Sequence, residues 1–234
     1  MDSGEDTAAA VREGFERYRQ HLRPEQVEQF SLYLQLLERW NQHINLTAIR
    51  ERRMAVLRHF VEPALAARYL AGAGPMLLDV GSGAGIPGLP MKILDPDRDC
   101  VLVESSTKKA TFLKEVVDAL ALEGVTVVNE RFEAAIDAGS IPQPVHVLAA
   151  RAWTGWGPLL GLAAPLMAPG GRALLFVGEA TLRALCRNLS TGGAMARTRD
   201  RDWRRAARAG WEVKQADPLP HLDTGYLVSL ELGR

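Results

Sequence analysis

The most constraining feature of this sequence is a glycine-rich loop that directly follows a short apolar strand. Leu77-Leu78-Asp79-Val80 has the composition of a buried strand end, and Gly81-Ser82-Gly83-Ala84-Gly85 comes next. Glycine tolerates tight backbone conformations and lets the chain approach a ligand closely. Backbone N–H groups of such a loop, at the start of the following helix, bind polar groups of a ligand. The loop therefore predicts a cofactor site at the carboxyl end of a strand.

A second acidic residue stands where the next predicted strand ends. Glu104 closes the apolar run that begins at Cys100, and it lies about 20 residues beyond Gly85, the spacing found in nucleotide-binding sites. A carboxylate at this place accepts hydrogen bonds from ribose hydroxyls. Together, the glycine loop and Glu104 predict a cofactor that contains a nucleoside.

From Met76 onward, short apolar runs alternate with helical stretches. The predicted strands are Met76–Val80, Cys100–Glu104, Val125–Asn129, Val145–Ala150 and Ala173–Val177, and the predicted helices are Ile86–Leu94, Thr107–Leu122 and Pro158–Met167. Strands that alternate with helices form a mainly parallel sheet through right-handed crossovers. Two more strands, Gly210–Gln215 and Gly225–Leu232, have no helix between them and predict a closing antiparallel pair. The pattern predicts an α/β fold.

The chain before the glycine loop is predicted to be helical over residues 7–70. Apolar residues that recur at helical intervals line one face of the first helix, and they are Val27, Phe30, Leu34, Leu37 and Ile44. A second helical stretch covers residues 51–70, and Ala71-Gly72-Ala73-Gly74-Pro75 then breaks the pattern. We therefore predict a helical extension at residues 1–72 and an α/β domain at residues 73–234.

Composition excludes several classes of protein. A hydrophobic fraction of 47% and a charged fraction of 24% are ordinary for a globular chain. No run of about 18 apolar residues predicts a membrane span, and the acidic first ten residues do not resemble a signal peptide. Two cysteines, Cys100 and Cys186, predict a reducing cytoplasm rather than a disulfide framework. The scattered histidines predict no metal site.

The net charge is zero, so the whole chain exerts no long-range attraction on nucleic acid. Positive charge is nevertheless concentrated near the C-terminus, where eight arginines occur, at positions 183, 187, 197, 199, 201, 204, 205 and 208. Arginine binds phosphate through two N–H groups and stacks on bases. Arg201, Arg204 and Arg205 share one helix face and are predicted RNA contacts, with Trp203 as a stacking surface; a solvated surface is the alternative.

The glycine loop alone leaves two cofactors open. Gly83-x-Gly85-x-x-Gly88 matches the fingerprint of dinucleotide-binding proteins. In that register the first glycine lies beyond the strand end at Val80, and the helix begins only after Pro87, so no short strand-to-helix turn results. The register that begins at Gly81 fits the strand better, and it resembles the S-adenosylmethionine motif of class I methyltransferases.

Two further blocks of the sequence are specific, and they are Trp40-Asn41 with Ile44-Asn45-Leu46-Thr47, and Pro87-Gly88-Leu89-Pro90 after the glycine loop. With these blocks, the chain resembles the glucose-inhibited division protein B family, the small-subunit (16S) rRNA guanine-N7 methyltransferases, over about residues 25–178. Further matching positions are Arg58, His59, Glu62, Glu104, Lys108, Lys109, Phe112, Leu113, Arg131, Glu133, Arg151 and Ala152. The resemblance implies a Rossmann-like, class I methyltransferase sheet of seven strands, with the last antiparallel, behind the helical extension.

The resemblance also implies an enzyme that transfers a methyl group from S-adenosylmethionine to N7 of a guanine in 16S rRNA. The implied cofactor contacts are Gly81, Gly83, Gly85, Ile86, Glu104, Phe132, Glu133 and Arg151. Arg131 is expected on the substrate side. We predict no catalytic base, because guanine N7 carries an in-plane lone pair and loses no proton when it is methylated. We expect a monomer that needs neither a metal nor a membrane.

Several of these residues also have purely structural interpretations. Ile86 fits a core position, and His59 with Glu62 fits a polar pair on a helix. Asn45 and Thr47 suit a turn with a helix cap. Asp79 either orients the glycine loop or touches the cofactor.

Two departures from the family pattern bear on the substrate. Val177-Gly178 stands where the family usually has Lys-Gly, and Asp223-Thr224-Gly225-Tyr226 replaces a basic turn. Both changes remove positive charge from the expected RNA side. Three alternatives therefore stay open at this point: a class I methyltransferase with another RNA or a small-molecule substrate, a nicotinamide-dependent oxidoreductase, and a non-catalytic protein that docks on the ribosome.

Overall fold

The computed structural model of the chain describes residues 3–189, 201–220 and 224–233. Its seven strands form one sheet, and they are β1 (Met76–Val80), β2 (Asp99–Val103), β3 (Val125–Val128), β4 (Val145–Arg151), β5 (Met167–Gly178), β6 (Trp211–Pro218) and β7 (Gly225–Leu232). The strand order is β3-β2-β1-β4-β5-β7-β6, and β7 is antiparallel to both of its neighbours. The other strand pairs are parallel. The predicted sheet is confirmed, including its antiparallel last strand.

Ten α-helices accompany the sheet in the described ranges. They are α1 (Ser3–Glu16), α2 (Pro24–Trp40), α3 (Arg52–Val56), α4 (Glu62–Ala66), α5 (Gly88–Leu94), α6 (Thr107–Ala119), α7 (Phe132–Asp137), α8 (Trp156–Ala163), α9 (Glu179–Asn188) and α10 (Arg204–Ala209). A π-helical turn, Leu57–Val61, joins α3 to α4, and 3₁₀ turns follow α4 and α8. None of these helices is long and apolar enough to cross a bilayer.

The two faces of the sheet carry separate hydrophobic cores, because successive side chains of a strand point to opposite faces. Leu77 belongs to the core that contains α1 to α6, whereas Leu78 belongs to the core that contains α7 to α10. The predicted extension therefore covers one face of the sheet together with α5 and α6. Its separation as a domain of residues 1–72 stays a prediction.

A row of aromatic rings fixes the extension to the sheet. The Phe30 ring lies 5.0 Å from the ring of Phe60, and the Tyr33 ring lies 5.1 Å from Phe60. Across the boundary, Phe112 of α6 packs 5.7 Å from the Trp40 ring. The Trp40 indole also donates a hydrogen bond to Glu115 of α6, at 2.9 Å. These contacts hold α2 against α6 at a fixed separation.

The predicted apolar face of α2 is confirmed except at its C-terminal end. Helix α2 stops at Trp40, so Ile44 lies beyond it. The reason is Asn41, whose Oδ1 accepts hydrogen bonds from the backbone of Leu46 and Thr47, while its Nδ2 donates to the Thr47 carbonyl. These side-chain hydrogen bonds take the place of the backbone hydrogen bonds that would continue the helix, so the chain turns after Asn41.

Candidate active site

The glycine loop leaves β1 in left-handed backbone conformations that suit glycine. The φ angles are +71° at Gly81, +57° at Gly83 and +81° at Gly85. The backbone N–H groups of Gly81 and Ser82 both donate to the carbonyl of Val103, at 2.9 and 3.1 Å. The loop is thereby attached to the end of β2, next to Glu104.

The surroundings of the three glycines show where a ligand fits. A Cβ atom at Gly85 would lie 2.4 Å from Leu89 and 2.7 Å from the Tyr33 hydroxyl, and one at Gly81 would lie 2.8 Å from Trp153. Packing therefore excludes side chains at both places. At Gly83 the nearest atom would be the loop's own carbonyl, 3.8 Å away. The loop thus presents an open face at Gly83, where a cofactor has room to approach the backbone.

Glu104 is held against this open face by two backbone donors. Its Oε2 accepts from Gly83 N at 2.9 Å, and its Oε1 accepts from Ser106 N at 2.7 Å. The residue is only 7% exposed. A carboxylate has about four lone-pair positions, so two bonds leave acceptor capacity for ribose hydroxyls. The donor set and the open loop together fit a nucleoside cofactor.

Asp79 lies beneath the loop, at 1% exposure. Its Oδ2 accepts from Gly88 N at 3.0 Å, whereas its Oδ1 has no hydrogen-bond partner among the described residues. Burial raises the pKa of Asp79 to about 7. The geometry therefore shows that Asp79 orients the start of α5, and its depth keeps it away from the open face.

Tyr33 contributes to the loop from the helical extension, and the sequence did not single it out. Its hydroxyl donates to the Ala84 carbonyl, and burial raises its pKa well above the ordinary value. The only feature of the sequence that points to this role is a tyrosine, with its polar hydroxyl group, among the apolar residues of α2. The observation shows that the extension reaches the cofactor loop directly.

Two arginines and a buried glutamate meet beside the carboxyl end of β4. Arg58 Nε lies 2.8 Å from Glu62 Oε1, and Arg151 Nη2 lies 2.9 Å from Glu62 Oε2. Arg151 Nη1 also donates to the Arg58 carbonyl at 2.5 Å. The Glu62 side chain is fully buried, which raises its pKa, while both guanidinium groups oppose that rise. The two guanidinium groups therefore share one buried carboxyl group.

Arg58 belongs to the π-helical turn, a feature that occurs frequently at functional sites. Beside the cluster lies a cavity of about 270 Å³, at the carboxyl ends of β4 and β5 and the amino end of the antiparallel β7. Arg58, Arg151, Phe176 and Val177 line it, and the Arg151 guanidinium lies 5.7 Å from the Phe176 ring centroid. The cavity thus places two guanidinium groups beside the buried Phe176, and these cationic donors suit the oxygen atoms of a nucleobase or of its phosphate.

The polar pair expected between His59 and Glu62 is not formed, because Glu62 is occupied by the two arginines. His59 Nε2 instead lies 2.9 Å from the Thr47 hydroxyl, and its Nδ1 has no partner among the described residues. Burial, with the charges of Arg151 and Arg58, lowers the pKa of His59 to about 3. A neutral His59 therefore secures the turn that contains Thr47.

The remaining predicted cofactor residues lie at the same edge of the sheet. Ile86 is 9% exposed and packs in the core below the loop. Phe132 is 2% exposed at the start of α7, so its ring belongs to the core of the other sheet face. Glu133 and Arg131 flank it at the surface.

The three arginines that are predicted to contact RNA lie on the face of the sheet opposite the helical extension. Arg201, Arg204 and Arg205 are exposed, and α10 packs on α8 and β6, at the far side of the sheet from β2. The expected stacking surface at Trp203 is wrong, because the indole is 8% exposed and packs against α8. The apolar indole of Trp203 is more stable when it packs against α8 than when it is exposed for stacking on RNA bases. Arg197, Arg199 and Asp223 lie outside the described residues.

Val177 is 6% exposed and forms part of the cavity wall, so an apolar side chain stands there in place of the lysine that is usual in the family. Among residues 3–189, 201–220 and 224–233, no three His, Cys, Asp or Glu side chains lie close enough together to hold a metal ion.

Comparison with known proteins identifies the family. Residues 26–189 match the GidB family, described as rRNA small subunit methyltransferase G. A protein of that name from Roseiflexus castenholzii is 42% identical over 158 residues, 66% of each chain. Another, from Chromobacterium violaceum, is 38% identical over 170 residues, 73% of this chain and 79% of the relative.

The matched segment therefore spans about two thirds or more of these two relatives' length. Among solved structures, an rRNA methylase from Streptococcus thermophilus has a TM-score of 0.52 at 13% identity, covering 73% of this chain and 95% of that one. This similarity supports the fold alone. The chain belongs to the rRNA small subunit methyltransferase G family, as predicted, and so to a class of rRNA methyltransferases that use S-adenosylmethionine.

Proposed function

We propose that this protein transfers the methyl group of S-adenosylmethionine to N7 of a guanine in 16S rRNA. The observation that carries the proposal is the position of the arginine-lined cavity at the same sheet edge as the loop that Glu104 fixes. In parallel α/β sheets, ligands bind at the carboxyl ends of the strands. The loop suits the methyl donor, and the cavity suits the acceptor base.

The proposed cofactor contacts follow from the geometry of the loop. Gly81, Gly83 and Gly85 present backbone, with Ile86 closing the loop from below. Glu104 accepts hydrogen bonds from the ribose hydroxyls with its remaining lone pairs.

The adenine side of the cofactor is assigned to the first turn of α7. Phe132 is buried there, so its contact comes from the backbone, while Glu133 extends from the surface. Arg151 stands where cofactor and substrate meet.

The bound cofactor supplies an electrophilic methyl group on a sulfonium. The chain's own task is then to hold guanine N7 in line with that methyl, a positional effect worth several orders of magnitude in rate. Because N7 must stay free to react, the Arg58 and Arg151 guanidinium groups hold guanine O6 or a flanking phosphate rather than N7. No general base is required, since N7 gives up no proton.

The outer RNA contacts are proposed at the surface arginines. Arg131 stands exposed at the start of α7. We assign Arg201, Arg204 and Arg205, which are exposed, to further phosphates of the RNA. We assign the reaction to a monomer in the cytoplasm.

A second candidate is a class I methyltransferase with a different RNA or a small-molecule acceptor. The apolar Val177 in the cavity wall favours it, because lysine at that place would add a phosphate-binding charge.

Methyl transfer from labelled S-adenosylmethionine tests both candidates. Purified protein is incubated with protein-free 16S rRNA and, separately, with small ribosomal subunits, and nucleosides are then analysed by mass spectrometry. The proposal expects label in N7-methylguanosine from one of the two substrates. Cofactor binding without transfer to either substrate would favour the second candidate, and NAD binding in place of S-adenosylmethionine would overturn both.

A further inference from the structure

A second, strongly basic cleft lies between the turn after α2 and the start of α6. It has a volume of about 450 Å³. One wall is the segment 41–50, which includes His43 and Arg50, and the other is the beginning of α6, with Lys108 and Lys109. The sequence pattern singled out both segments, yet the cofactor and the cavity at β4 use neither.

The charges of this cleft are uncompensated. Arg50, Lys108 and Lys109 line it, and no carboxylate does. No ion pair joins these three cations to a carboxylate within the part of the chain that the structure describes. The nearby Glu115 is already engaged by Arg39 and by the Trp40 indole. Three positive charges therefore face a single opening.

Both walls of the cleft are preformed. The three side-chain hydrogen bonds of Asn41 fix the turn, and Arg50 Nη1 donates to the Asn41 carbonyl at 3.1 Å. The contacts of Trp40 with Phe112 and Glu115 fix α6 relative to that turn. The backbone of both walls is therefore ordered before an anion binds, which reduces the entropy lost on binding.

The cleft opens beside the cofactor carboxylate. Ser106 lines it, and the backbone of the same residue donates to Glu104. An anion held there would thus belong to a molecule that continues towards the methyl donor. The lining is predominantly polar, which suits a charged, hydrated ligand better than an apolar protein segment.

Resting on the function proposed above, we infer that this cleft binds the phosphodiester backbone of the RNA substrate. Arg50, Lys108 and Lys109 neutralise the phosphates of a strand whose target guanine enters the cavity at β4. This assignment differs from the arginines of α10, because the cleft lies on the extension side of the cofactor loop.

The test is the salt dependence of RNA binding in the triple variant Arg50→Gln, Lys108→Gln, Lys109→Gln. The probe is protein-free 16S rRNA, and a matched control is Lys114→Gln, an exposed lysine of α6 outside the cleft. Each lost phosphate contact flattens the slope of log K against log salt by about 0.7 on single strands, hence by about 2 for the triple variant. We expect that flattening, at least a tenfold loss of affinity at low salt, and no change in Lys114→Gln.

Three further measurements separate the explanations. Circular dichroism and the unfolding midpoint establish that the triple variant is folded, and single variants replace it where it is not. A wild-type slope in the folded variants overturns the inference. So does a raised cofactor Kd with an unchanged RNA slope, because the cleft would then serve the cofactor. Inorganic phosphate that saturates the cleft without competing with RNA would show a small-anion site and also overturn it.

The proposed function fails in a different way. If the wild-type protein, with cofactor bound, transfers no methyl group to 16S rRNA or to small subunits, the methyltransferase proposal falls while the salt slopes still decide whether the cleft binds RNA. If the wild type methylates RNA and the triple variant keeps the same KM and slope, only the cleft assignment is overturned.

Discussion

Two carboxylates close to the glycine loop have opposite environments. Glu104 receives two backbone N–H groups, whereas Asp79 is buried with one donor and an unpartnered oxygen. Burial raises the pKa of Asp79 to about 7, so this carboxyl group binds a proton close to neutral pH. The two residues are therefore expected to respond differently to neutral substitution.

Glu104→Gln is expected to weaken binding of the cofactor product S-adenosylhomocysteine by about 1.5–3 kcal/mol, roughly 10- to 150-fold in Kd. The amide keeps one acceptor oxygen but loses the charge that strengthens the ribose bonds. Isothermal calorimetry measures the change, with Glu123→Gln, at an exposed position, as the control. An unchanged Kd in the folded variant would limit Glu104 to a structural role.

Asp79 is expected to make stability depend on pH. Because its folded pKa of about 7 exceeds its ordinary value of 3.8, the folded state binds more protons between these limits. The contribution of Asp79 is thus fully present below about pH 4 and is lost as pH rises to about pH 7. Relative to Asp79→Asn, wild type should lose up to about 1.4 kcal/mol per pH unit in urea unfolding. A difference that stays constant with pH would contradict this assignment.

At the scale of elements, α2 acts as a support for the cofactor loop. Tyr33 donates to the Ala84 carbonyl, and its ring packs between Phe60 and Phe112. Tyr33→Phe keeps the ring contacts and leaves the carbonyl without its buried donor. We expect a loss of about 1–2 kcal/mol in unfolding free energy.

The same Tyr33→Phe substitution should also raise the Kd for S-adenosylhomocysteine, because the loop loses its anchor. Urea denaturation and calorimetry measure the two effects separately. Full stability together with wild-type affinity would show that α2 does not hold the loop.

The elements themselves were predictable where local pattern decides them. Alternating apolar runs predicted the strands, and the helices between them predicted a mainly parallel sheet. The order of the strands was not predicted and comes from the structure. The start of β5 was missed, since Met167-Ala168-Pro169-Gly170-Gly171 has the composition of a turn. The sheet accommodates this segment as a shift in register between β4 and β5. Val145 pairs with Met167, and Val147, only two residues further along β4, pairs with Arg172.

The site was predictable only in part. Glu104 and the glycine loop follow from residue types at the ends of neighbouring strands. The ion pairs of Glu62 with Arg58 and Arg151 do not, because Arg151 is far away along the chain and only the topology brings it near. Likewise, the apolar residues of the π-helical turn do not recur at an interval that distinguishes it from an α-helix. Tyr33 cannot be told from an ordinary core residue in the sequence.

At the scale of the whole molecule, the extension and the sheet share one core. Phe112, Leu89 and Met91 are fully buried in the cluster that also contains α1 to α4. Each such side chain contributes about 1.5–3 kcal/mol when buried, against a total stability of about 5–15 kcal/mol. A chain of residues 73–234 alone should therefore show no cooperative unfolding transition. A sharp thermal transition in that fragment would show that residues 1–72 are dispensable for folding.

The central claim concerns the RNA that the protein modifies. The most direct measurement is mass-spectrometric mapping of 16S rRNA from cells with the gene, without it, and with it restored. We predict one guanine that carries an N7 methyl group only when the gene is present. Identical maps in all three strains, or a difference confined to another atom or another RNA, would contradict it.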